Sequence, residues 1–90
     1  MSELRDNTSA SQYELDENGH TSFARYRKQD GVLTIMYVEA PPELRGTGAA
    51  GRLMTQVAEE ARKNNWRVVP VCGYAAGWLR RSKQYGDLVL

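Results

Sequence analysis

The 90-residue chain has one cysteine, Cys72, and one histidine, His20. A lone thiol excludes an internal disulfide framework, and a lone histidine with no cysteine beside it gives no metal-ligand spacing, so no metal is expected. Charge of one sign is also missing, since twelve Lys and Arg balance eleven Asp and Glu for a formal net charge of +1. There is thus no global field for nucleic acid or an acidic membrane, and any anion site has to be local. No apolar run approaches a signal-peptide core or a membrane span in length, so a cytoplasmic location is expected. Ninety residues allow one core rather than two. At this size a ligand or a second subunit contributes noticeably to stability, which leaves the oligomeric state open.

Residues 1–12 are polar, rich in Ser, Asn and Asp, with one isolated leucine. They can bury little and read as a flexible N-terminal tail, followed by a single domain over 13–90. Tyr13 and Leu15 alternate with charged neighbours, Asn18-Gly19 supplies a turn, and 21–27 alternates again, which predicts a β-hairpin. Asp30-Gly31 is a second turn signal before 32–39, a run of β-branched and apolar residues on both faces that predicts a central strand. Pro41-Pro42 ends its ladder, because neither ring donates a backbone hydrogen bond.

Ala50, Leu53, Met54, Val57, Ala58 and Ala61 recur at three- and four-residue spacing and predict a helix over 48–64 with one apolar stripe. Residues 67–72 read as the next strand, ended by Gly73, with Pro70 marking an edge or a bulge. A short helix over about 75–84 places Trp78 and Leu79 inward and sets Arg80, Arg81 and Lys83 on a solvated face. The fold class is α/β (α+β): antiparallel strands, a β-α-β crossover with parallel strands either side of the long helix, and a short C-terminal helix.

Between strand and helix lies the loop Arg45-Gly46-Thr47-Gly48-Ala49-Ala50-Gly51-Arg52. Unpaired N–H groups and the positive end of the helix dipole make such a junction an anion site. The segment formally satisfies G-x-G-x-x-G, but the six residues 40–45 separate the strand from the first glycine and no acidic ribose partner follows. It also begins as a P-loop, yet Gly51 is followed by Arg52-Leu53 in place of the phosphate lysine and the magnesium hydroxyl. A third pattern, [RQ]-x-x-G-x-[GA], is fitted by Arg45, Gly48 and Ala50.

With the stretch Glu39-Ala40-Pro41-Pro42-Glu43-Leu44-Arg45-Gly46-Thr47-Gly48 and the second block Pro70-Val71-Cys72-Gly73-Tyr74, the chain resembles the small single-domain GCN5-related N-acetyltransferase-like family. The resemblance implies acetyl-CoA or coenzyme A as cofactor and an amine as acceptor. Pyrophosphate would sit on Arg45, Gly46, Thr47, Gly48, Ala49, Ala50, Gly51 and Arg52. It further implies that strands 32–39 and 67–72 splay apart to admit the pantetheine arm, with the thioester near Glu39 and Cys72. Small residues in the loop let backbone approach phosphate closely, which agrees with that reading.

Acyl transfer needs a nucleophile without its proton, a donor for the carbonyl oxygen and a proton for the leaving thiolate. Backbone N–H groups around Val38 to Ala40 are the candidate oxyanion donors. Glu39 is the candidate base, against the plain reading of a strand-end carboxylate in solvent. Cys72 reads as a covalent relay, a proton donor, or a small buried hydrophobe. Tyr74 reads as a proton donor to sulfur or as packing beside Trp78. Tyr37 shares the strand face of Glu39 by period-two alternation, at a place where the resembled family often has histidine. The acceptor is not specified by any motif, which keeps a second function class open: a coenzyme A-binding module without turnover.

Overall fold

Two-residue turns set the first half of the structure. In the computed structural model, which describes residues 3–90, Asn18 and Gly19 adopt φ of 51° and 77°, and Asp30 and Gly31 adopt 52° and 76°. Paired positive φ values match the right-handed twist of flanking strands, so each turn closes an antiparallel hairpin. The strands are β1 (Arg5–Asn7), β2 (Gln12–Glu17), β3 (His20–Gln29), β4 (Val32–Glu39) and β5 (Arg67–Pro70), in sheet order β1-β2-β3-β4-β5. β4 and β5 are parallel, and helix α1 (Ala49–Lys63) lies between them in sequence; helix α2 (Gly73–Arg81) follows β5.

Both helices share one core with one face of the sheet. Tyr13, Leu15, Ala24, Leu33, Ile35 and Val68 meet Leu53, Met54, Val57, Ala58 and Ala61 of α1 and Ala75 and Leu79 of α2. The other face carries Glu14, Asp16, Phe23, Arg25, Tyr37 and Glu39 by alternation, and among the described residues no helix covers it. Ala49 rather than Ala50 completes the buried end of the α1 stripe, at four-residue spacing from Leu53, and Ala50 turns half-exposed toward the groove described below.

Three further boundaries differ from the sequence reading. Met1 and Ser2, the start of the expected tail, lie outside the described residues. Arg5–Asn7, expected in that tail, instead pairs antiparallel with β2. It does so through polar groups: the Arg5 guanidinium contacts Glu14 at 2.6 Å and Asp16 at 2.5 Å, and Asn7 donates to Glu14 at 3.0 Å. β5 ends at Pro70 rather than 72, and α2 begins at Gly73 and stops at Arg81. Proline cannot continue a ladder, and the next two N–H groups, of Val71 and Cys72, both donate to the Ile35 carbonyl at 2.9 and 3.1 Å. The chain end adds a parallel bridge between Val89 and Val68.

The β1–β2 network makes stability depend on acid. Donors from Asn7 and Gln12, then Arg5, hold Glu14 below the ordinary glutamate value of 4.5, and Arg5 and then Thr21 hold Asp16 below 3.8. A carboxyl whose folded pKa is depressed contributes stability above its unfolded pKa and loses it as pH falls through the folded one. Urea midpoints are therefore expected to fall as pH drops below about 4.5, and Arg5→Ala, which lowers the neutral midpoint, is expected to flatten that acid limb. An acid limb unchanged in Arg5→Ala would contradict this assignment.

Candidate active site

β4 outruns its partner. Its pairing with β5 stops at Ile35↔Pro70, while the strand itself continues to Glu39. Past that point β5 has turned away into α2, so the edge of β4 from Met36 onward has no strand beside it. A register shift against β3 falls at the same place, where Arg25 pairs with Tyr37 and Tyr26 with Ile35, leaving Met36 opposite no residue. A bulge increases local twist and re-aims the side chains that follow it. The result is a groove of about 450 Å³. Its strand wall is Tyr37, Val38, Glu39 and Ala40; its far wall is Leu44, Arg45, Gly46, Gly48, Ala49, Ala50 and Gly51; Tyr74 of α2 lines it as well.

The far wall is built for a close backbone approach. A short 3₁₀ turn, Pro42–Leu44, buries Leu44 and releases the chain into Gly46 at φ 81° and Gly48 at φ 86°. Both lie in the left-handed region, where a Cβ would be strained. Gly48 is the N-cap of α1, no side chain caps the helix, and no acidic residue stands in its first turn. The first i→i−4 bond is Arg52 N to Gly48 O at 3.0 Å, so the N–H groups preceding it have no partner within the helix. These donors, at the positive end of the helix dipole, belong to Ala49, Ala50 and Gly51, which line the groove.

The two arginines of the loop have different jobs. Arg45 is exposed, lines the groove, and donates from Nε to Ala40 O at 3.3 Å. Arg52 turns away toward the β2–β3 hairpin, where Nε meets Glu17 at 2.7 Å while Nη1 donates to Thr47 O at 2.8 Å. It thereby holds Glu17 below the ordinary carboxylate range. Thr47 donates its hydroxyl to Leu44 O at 2.6 Å. Arg52 and Thr47 therefore brace the loop, and neither side chain is part of the groove lining.

Of the catalytic candidates, Glu39 and Tyr74 line the groove and Cys72 does not. Cys72 is half-buried at the N-cap of α2, packed against the edge of the core. A Cβ built on Gly51 would stand 3.8 Å from the Tyr74 hydroxyl and 3.7 Å from Trp78 Nε1, so Tyr74 reaches across from α2 to the first turn of α1. The Tyr37 hydroxyl donates to Glu39 Oε1 at 2.5 Å, and that bond, with the carboxylate charge, raises the phenol pKa above its ordinary value. Ala40, at the end of the segment expected to supply oxyanion donors, lines the groove, and so does Leu44, to which the sequence assigned no role; its only signal was its position between strand end and loop. His20 sits 3.7 Å from Glu43, and no cluster of metal-ligating side chains occurs among the described residues.

The description of the GCN5-related N-acetyl-transferase family matches residues 12–88. A solution NMR structure of a GCN5-like protein from Staphylococcus aureus superposes with a TM-score of 0.75 at 27% identity, covering 98% of this chain and 87% of that one. No curated protein matches the chain.

Proposed function

The chain belongs to the GCN5-related N-acetyltransferase family, and on that premise we propose that it transfers acetyl from acetyl-CoA to an amine, seating the pyrophosphate on the loop 45–52. One observation carries this reading: the parted β4–β5 edge and the uncapped helix start share a single groove. An extended pantetheine arm with peptide-like amides fits an unpaired strand edge, and a diphosphate fits exposed N–H donors with Arg45 beside them. In this arrangement Gly46, Gly48, Ala49, Ala50 and Gly51 present backbone to phosphate, while Arg52 and Thr47 hold the loop's shape. Backbone N–H groups of the segment from Val38 to Ala40 stabilise the oxyanion, Glu39 receives the proton of the amine, and Tyr74 returns one to sulfur.

A second reading, a coenzyme A-binding module without turnover, is favoured by the uncovered sheet face next to Glu39, which leaves an acceptor without an enclosing pocket. Among the described residues no helix is long and apolar enough to cross a membrane. Acetyl-CoA at about 100 times its dissociation constant is expected to stabilise the fold by roughly 2.7 kcal/mol in a thermal-shift assay. No shift at millimolar ligand sinks both readings. Free-thiol release with a panel of primary amines separates them, since a binding module shifts without releasing thiol. Intact mass of wild type and Cys72→Ala decides the cysteine's part: a covalent relay shows an acetyl adduct that needs Cys72, and steady turnover by Cys72→Ala removes the thiol from the mechanism.

A further inference from the structure

Tyr37 is a half-exposed aromatic on the uncovered sheet face, 47% accessible, yet its hydroxyl donates to Glu39 Oε1. Its ring is held in turn. Phe23 of β3 packs against it with centroids 6.1 Å apart, and the Arg25 guanidinium lies 5.4 Å from the Phe23 ring centroid. Glu39 pairs with Phe23 in the β3–β4 register, so carboxylate, phenol and phenyl ring form one patch at the mouth of the groove. A strand-end glutamate with no such contact would sample several rotamers in solvent. Here one carboxylate oxygen is taken by the phenol.

We propose that Tyr37 is a positioning residue for Glu39, fixing Oε1 so that Oε2 is presented to the amine of the acceptor. This rests on the acetyl-transfer reading above. For a neutral amine the step balances as follows: nitrogen attacks the thioester carbon, a C–N bond forms, an N–H proton passes to Glu39 Oε2, and the C–S bond breaks. The coenzyme leaves as a thiolate that takes its proton from Tyr74, and the site is restored when Glu39 releases its proton to solvent and Tyr74 regains one from it. Tyr37 keeps its proton throughout. Its raised pKa, caused first by the bond to Glu39, is consistent with a phenol that donates a hydrogen bond rather than a proton.

The test combines two measurements. In tyrosine labelled at Cζ, the NMR titration of Tyr37, assigned by its loss in Tyr37→Phe, is expected to run to higher pH than a free phenol, and to move down in Glu39→Gln. With acetyl-CoA and spermidine, Nα-acetyl-lysine or tryptamine as probes, Tyr37→Phe is expected to lower kcat by roughly tenfold to a hundredfold, leaving KM for acetyl-CoA within about twofold. In the Glu39→Gln background the same substitution is expected to change the residual rate by less than about twofold, because the group it acts through is gone. Equal losses in both backgrounds overturn the proposal, as does a Tyr37 titration indifferent to Glu39→Gln. Wild-type protein that releases no thiol with any probe overturns the acetyl-transfer reading and the positioning role with it, and that outcome is visible before any variant is compared.

Discussion

Replacing Ala50 with glutamate is expected to weaken acetyl-CoA binding by roughly a hundredfold or more while leaving the protein folded. Ala50 stands in the first turn of α1, half-exposed, in the wall of the groove. A glutamate there puts a methylene and a carboxylate against the N–H groups that would otherwise meet phosphate. Repulsion and bulk act in the same direction on binding. On folding they do not: an acidic side chain in the first turn interacts favourably with the helix dipole, worth about 0.3–1 kcal/mol, and α1 now has none. The expected pair of results is an unligated Tm equal to or slightly above wild type, and a ligand-induced shift that disappears. Retained binding in Ala50→Glu, measured by calorimetry or thermal shift, would move the phosphate away from this turn.

The largest effect on stability is expected at Leu53. It is 0% exposed, lies on the buried stripe of α1, and belongs to the core shared by the helix and the sheet. Truncation to alanine removes three buried carbons and leaves a cavity that a small domain can only partly close, at a cost of about 2–5 kcal/mol. Against a typical total of about 5–15 kcal/mol, that is a large share. A loss near 3 kcal/mol corresponds to a Tm lower by roughly 12–24 °C. Lys63→Ala, at an exposed position of the same helix, is the control, expected to change stability by less than about 0.5 kcal/mol. Equal Tm values for Leu53→Ala and wild type would show that α1 does not pack as described. Saturating acetyl-CoA is expected to offset part of the Leu53→Ala loss by mass action, as long as the variant's folded state still binds it.

Much of this architecture can be read from short-range pattern. Asn18-Gly19 and Asp30-Gly31 need positive φ and deliver it, which fixes two hairpins, and the apolar stripe fixes α1. Each of these signals lies within a few residues of the element it specifies. The features that the sequence did not disclose depend on partners far along the chain. β1 is a strand because Arg5 and Asn7 find carboxylates on β2, and the N–H of Leu4 finds Gln56, 52 residues away. No hydrophobic period marks such a strand.

The site divides along the same line. The parting of β4 and β5 beside the groove is implied by the family resemblance rather than by spacing, while the glycine loop between strand and helix follows from local spacing. The role of Arg52 does not, because a long basic side chain at a helix start can turn to a phosphate or to a carboxylate with equal ease, and the carboxylate here is 35 residues upstream. The same holds for the hydroxyl of Tyr37. Period-two alternation puts it on the face of Glu39 but does not say whether the phenol meets the carboxylate or solvent; in the structure it donates to Glu39 Oε1, with Phe23 of the neighbouring strand against its ring.

The brace of Arg52 on Glu17 and Thr47 has a thermodynamic consequence. A glycine-rich segment left to itself has many conformations to surrender when it closes on an anion, and that lost freedom subtracts from affinity. Here Arg52 already ties the loop to the β2–β3 hairpin through Glu17 and to Thr47, so part of its ordering belongs to folding rather than to association. On the acetyl-CoA reading, a hairpin that lies outside the groove would then contribute to the affinity of the groove for its ligand.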